Sequence, residues 1–176
     1  MEIGNILNIV GPTIQGLVEV ARGCGRGCDF SNPALLQLKC RSLTDILEDV
    51  QVNGQSGMDT ITLHAEDIFR YRVNGIQPDQ IAVEGLFKSV CNVEGVQRVY
   101  VSHGAFASVF SAPRLLPNLT EIMNLDKSDW KAFQVGLETG NPKLVEKHML
   151  GKCRPFRPKE WPEVVEQTTG ISNDAY

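Results

Sequence analysis

Long apolar runs, blocks of like charge and low-complexity tracts are all missing from this chain, and each absence removes a class of protein. No stretch approaches the roughly 18 unbroken apolar residues that a membrane-spanning helix needs, so no membrane partner is expected. The 17 basic and 21 acidic residues, a formal net charge of −4, are spread along the chain rather than massed. Without a basic face, the electrostatic footprint of a nucleic-acid binder is missing. The opening MEIGNILNIVGPT sets no basic leader ahead of an apolar segment, so a cytoplasmic location is expected. Cysteine is sparse and odd in number: Cys24, Cys28, Cys40, Cys91 and Cys153. In a reducing compartment such thiols bind metal or fill core instead of forming disulfides, and only Cys24 and Cys28 have ligand-like spacing.

What remains is an ordinary globular composition, 42% hydrophobic and 22% charged, in a chain of 176 residues that suits a single domain, 1–176. Residues 13–20, TIQGLVEV, alternate apolar and polar and read as a strand that ends where the glycines begin. RSLTDILEDVQ places Leu43, Ile46, Leu47 and Val50 at helical spacing, with Ser42 as the cap. MDTITLHAED is a second strand, with Ile61 and Leu63 on one face. Pro78 introduces a helix, DQIAVEGLFKSV, whose expected core face is Ile81, Leu86 and Val90. VQRVYVSHG reads as a third strand and WKAFQVGLETG as a fourth, with Phe133, Val135 and Leu137 on one side. PRLLPNLTEIMN, KLVEKHML and 158–167 complete the helices.

Strand and helix alternate four times, the pattern of an α/β protein with a parallel sheet. In such sheets chemistry collects at the carboxyl ends of the strands. Those ends carry Cys24 and Cys28, then His64 with Glu66 and Asp67, then His103, then Glu138.

The stretch RGCGRGCDFS, 22–31, holds two thiols on a loop with glycines at 23, 25 and 27. Residues without Cβ let a backbone wrap a bulky group, and thiolates are soft ligands for iron–sulfur clusters or zinc. The Gly-x-Gly-x-Gly alternation also hints at phosphate, but it lacks dinucleotide spacing and no helix starts directly behind it. For zinc, Cys24 and Cys28 would need Cys40 and a histidine to make four ligands. Together with LHAEDIF and GLETGNPKL, RGCGRGCDFS resembles the radical S-adenosylmethionine (radical SAM) enzymes, in particular the group whose longer members carry a cobalamin-binding domain.

That resemblance implies a partial parallel (β/α) barrel of about four units. It also implies a 4Fe-4S cluster with one open iron, on which S-adenosylmethionine is reductively cleaved to a 5′-deoxyadenosyl radical. The family's Cys-x3-Cys-x2-Cys maps its first two ligands onto Cys24 and Cys28 and its third onto Ser31, with Phe30 beside the adenine. Glu66 falls where the family contacts the methionyl amino group, and Glu138 where it reaches the ribose or amino group. A serine hydroxyl is a harder, poorer iron ligand than a thiolate, and two barrel units of the family's six are missing. The expectation is therefore a radical SAM domain acting on an unnamed small or macromolecular substrate, either a degenerate relative, a truncated frame or half of a split enzyme. A partner chain or a second copy would complete the barrel at its exposed sheet edge. A non-catalytic scaffold and a structural zinc protein are the alternatives.

Overall fold

A computed structural model describes residues 7–125 and 132–174, with side chains through residue 167. The first strand is entered through a single 3-10 turn, Ile14–Gly16, where the alternating sequence predicts strand. Gly16 has φ +61°, and a Cβ there would lie 2.1 Å from the Thr60 carbonyl oxygen. The neighbouring strand thus comes too close for any side chain, and the chain turns before it can extend. Strand β1 is Leu17–Glu19, and the same segment continues as β2, Ala21–Arg22. Val20 links them: its N–H donates to the His64 carbonyl, and its own carbonyl accepts from the Arg41 N–H.

A short helix α1, Asn32–Leu35, and strand β3, Lys39–Cys40, fill a region whose sequence suggests only a loop with one helical turn. β3 pairs antiparallel with β2. Helix α2, Leu43–Gln55, begins at Ser42, whose Oγ accepts from the Asp45 N–H at 3.1 Å. Its Ile46 and Val50 are fully buried, as their spacing predicts. Strand β4, Thr60–His64, turns Ile61 and Leu63 inward, both at 0% exposure, and burial of this kind contributes about 1.5–3 kcal/mol per side chain.

Helix α3, Gln80–Cys91, is capped by Asp79. Its core face differs from the sequence reading: Leu86 and Val90 are buried, but Ile81 is 85% exposed, and Val83 and Phe87 take the inward positions. Strand β5, Arg98–Val101, runs on into β6, His103–Gly104. Helices α4, Phe106–Ser111, and α5, Leu115–Ile122, follow; α4 carries too short a periodic pattern to be visible beforehand.

The fourth strand, β7, is only Gln134–Val135. Trp130 and Lys131, the first residues of its expected span, lie outside the described residues, and Leu137 at its other end is 40% exposed. The expected helix 143–150 is two helices, α6, Pro142–His148, and α7, Leu150–Cys153. Helix α8, Trp161–Asp174, closes the described chain.

β1 pairs parallel with β4, β4 with β5, and β6 with β7. Ser102 joins the two halves of the third strand: its N–H donates to the Leu63 carbonyl and its carbonyl accepts from the Gln134 N–H. The four strands predicted to be parallel therefore lie side by side in chain order, with a mixed α/β architecture. One apolar core joins this sheet to α2, α3 and α5. A second, centred on Trp161, Met149 and Val145, includes Cys28, Ala34 and Cys153 and lies under the cysteine loop. Among the described residues, no helix is long and apolar enough to cross a membrane.

Candidate functional site

The loop that follows β2 is held by the chain around it. The Cys24 N–H donates to the Pro33 carbonyl and the Gly27 N–H to the Ala34 carbonyl, both at 2.8 Å. Gly23, Gly25 and Gly27 all adopt positive φ. At Gly23 the requirement is doubled, because a Cβ would sit 2.7 Å from the Gln37 carbonyl oxygen. Glycine alone satisfies both the dihedral and the space. Cys28, only 3% exposed, anchors the loop in the second core, while Phe30 is half exposed at the loop's lip.

One cleft of about 180 Å3 is lined by Cys24, Cys28, Phe30, Ser31, Glu66 and Glu138. All six residues singled out in the sequence thus border the same space, although they come from three separate strand ends. Asp67, His103 and Lys152 also line it. Glu138 has φ +62°, a left-handed conformation that costs a non-glycine residue roughly 1 kcal/mol or more. The segment is pinned by Trp161, whose indole N–H donates to the Thr139 carbonyl at 2.9 Å, and by Lys152, whose Nζ meets Glu138 Oε1 at 2.7 Å.

Behind the thiols lies a buried polar knot. Arg26, between the two cysteines, donates to Asp67 Oδ2 at 2.8 Å and reaches Ser108 Oγ at 2.7 Å. Ser108 in turn donates to the same carboxylate oxygen. The Arg26 and Asp67 side chains are 5% and 3% exposed, so Asp67 is no solvated rim carboxylate. Arg26 also donates to the Gly151 carbonyl, and Arg70 to the Cys24 carbonyl at 2.5 Å. Neither arginine announces itself in the sequence. Their roles become visible only when β4 and α4 are brought beside the loop.

Burial pushes the Cys24 thiol above its ordinary pKa, against the opposing charges of Arg26 and Arg70. Burial raises that of Cys28 as well, with Lys152 opposing. Burial thus favours the neutral thiol at both positions, and a metal bound there would have to displace those protons. Among the described residues, no group of three histidine, cysteine or acidic side chains is set to hold a metal ion. Positions 24, 28 and 31 share the cleft, and two of the three carry sulfur.

Cys40 does not join them. It belongs to the other apolar core, and its Sγ accepts from the Arg72 N–H at 3.2 Å. The four-ligand zinc set built on Cys40 is therefore not assembled. Of the histidines, His64 Nδ1 pairs with Ser102 Oγ at 3.0 Å and packs edge-on against His103, and His148 pairs with Asp29 of the cysteine loop. The His103 Nδ1 is buried without a hydrogen-bond partner among the described residues.

Fold and site together define an α/β protein with a thiol-bearing loop at the carboxyl mouth of a parallel sheet. No protein-family model matches the chain. It is similar to the ribosomal protein uS12 methylthiotransferase RimO of Dictyoglomus thermophilum, at 23% identity over 142 residues. The matched segment is 79% of this chain but 30% of that protein, so the chain spans under a third of its relative's length.

Proposed function

We propose that this chain is a radical SAM-type domain covering about four units of a parallel (β/α) barrel, in which Cys24 and Cys28 would hold a 4Fe-4S cluster and Ser31 would stand at the third ligand position. The observation that carries the reading is convergence: the two thiols, Ser31, Phe30, Glu66 and Glu138 line one cleft. The distant likeness to a methylthiotransferase over most of the chain supports it. Such a cluster, once reduced by an external one-electron donor, would supply the electron that splits bound S-adenosylmethionine into methionine and a 5′-deoxyadenosyl radical.

The chain's own residues have definable tasks in this reading. Phe30 offers an aromatic face to an adenine, and Glu66 and Glu138 offer carboxylates to an amino group or ribose hydroxyls. Lys152 holds Glu138 until a ligand competes for it. Ser31 supplies oxygen where a third thiolate belongs, which weakens retention of the cluster. The outer strands β1 and β7 each have one neighbour among the described strands, and a partner chain or second copy adding strands there belongs to the same proposal.

Anaerobic reconstitution with iron and sulfide tests the reading, with wild type and Ser31→Cys compared by absorption and electron spin resonance. The substituted protein should retain a cluster that the wild type holds weakly; a failure of both to bind iron and sulfide would refute it. Ser31 itself favours a second reading, a non-catalytic scaffold of the same fold. Production of 5′-deoxyadenosine by the reconstituted wild type would exclude that alternative.

A further inference from the structure

A second cavity, of about 420 Å3, adjoins the thiol cleft at Arg26 and shares only that residue with it. Its walls are residues 25–27 of the cysteine loop, Arg70 with residues 75–76 beyond β4, and Leu150, Gly151 and Arg154 around α7. Three of these residues are arginines and none is acidic. Asp67 pairs with Arg26. Arg70 spends one nitrogen on the Cys24 carbonyl, and its Nε is buried without a partner, as is that of Arg26. Arg154 is exposed and makes no hydrogen bond or ion pair among the described residues. Three guanidinium groups against one carboxylate leave two positive charges without a carboxylate partner among the described residues around one open cleft.

We propose that this cavity binds a compact dianion, the phosphate group of a small phosphorylated molecule. Guanidinium groups match phosphate oxygens in charge and in forked geometry, and two surplus charges balance one phosphate dianion. The volume falls within the range of small-molecule sites, so there is room for a ligand body beside the phosphate. Half-exposed Ile76 and Leu150 give that body an apolar wall. A polynucleotide is disfavoured by the acidic balance of the chain, −4 overall. The cavity adjoins the thiol cleft through Arg26, and binding there needs no bound cluster.

Calorimetric titration with phenyl phosphate and with inorganic phosphate, at constant ionic strength and without iron, tests the proposal. Saturable one-site binding is expected, tighter for phenyl phosphate. Arg154→Ala should weaken it by about tenfold, and Arg70→Lys, which keeps charge but loses the fork, by about fivefold. Arg98→Ala, which removes an exposed arginine paired with Asp59 on β5, should leave binding unchanged. The proposal is overturned if the folded wild type shows no saturable binding, if neither cavity variant weakens it, or if Arg98→Ala weakens it equally. A short oligonucleotide that binds more tightly than phenyl phosphate and resists displacement by it would also overturn it.

Discussion

Replacing Asp67 with alanine removes the only carboxylate that meets Arg26 among the described residues; the Arg26 side chain is 5% exposed and sits between the two cysteines. The guanidinium cannot escape to water without dragging the loop with it, because it also donates to the Gly151 carbonyl. Breaking a buried pair by deleting one partner costs about 3–5 kcal/mol, since the surviving charge stays desolvated and unpaired. Ser108 loses its acceptor as well. For a chain of this size each kcal/mol lowers Tm by roughly 2–4 °C, so Asp67→Ala should melt roughly 6–20 °C below wild type. Scanning calorimetry or urea titration followed by tryptophan fluorescence measures the difference. Adding Arg26→Met to Asp67→Ala should recover most of the loss, because the pair is then replaced by apolar volume. A Tm drop under about 3 °C for the single variant, or a double variant no more stable than the single, would show that the ion pair does not hold the loop.

Gly151→Ala places a Cβ 1.6 Å from the Arg26 carbonyl oxygen, so α7 and the cysteine loop must separate; a loss of about 1–3 kcal/mol in a urea titration is expected. Because burial raises the thiol pKa values of Cys24 and Cys28, the native state keeps protons that the unfolded chain releases. Stability should be full below the unfolded thiol pKa of about 8.5 and decline as pH rises through the higher folded values; urea midpoints between pH 7 and 10 check this, and Cys28→Ala should flatten the decline. Ile81→Ser should change stability by no more than about 0.5 kcal/mol, whereas Val83→Ala on the opposite face should cost at least about 1 kcal/mol; equal effects would reverse the assigned core face of α3.

The elements visible from sequence are those whose own residues decide them. Strand β4 follows from strict alternation, and α2 from its spacing and its Ser42 cap, because both patterns match the faces that became buried. Elements set by neighbours were hidden. The turn at 14–16 exists because β4 approaches Gly16 too closely for a Cβ, and β3 exists because β2 offers it an edge. Ile81 lies five residues before Leu86 and nine before Val90, the far side of a 3.6-residue helix, so it faces solvent while Val83 in the same turn joins the core. At the site, chain order alone placed Cys24, Cys28, Glu66 and Glu138 at strand ends. Asp67 was visible as a carboxylate, yet its burial depends on Arg26 and Ser108, residues 41 positions away on either side.

The bonds that shape the cysteine loop bear on which of the competing readings survives. In a structural zinc site the metal supplies the folding energy, and the loop around it has little else to hold it. Here the loop is tied by Cys24 to Pro33, by Gly27 to Ala34, by Arg26 to Asp67 and Gly151, by Arg70 to Cys24, and by Asp29 to His148. These contacts are made by protein groups alone, so on this reading the loop's shape is carried by the protein and not by a metal. Metal removal should then leave Tm nearly unchanged, which separates a cluster or scaffold reading from a structural-zinc one.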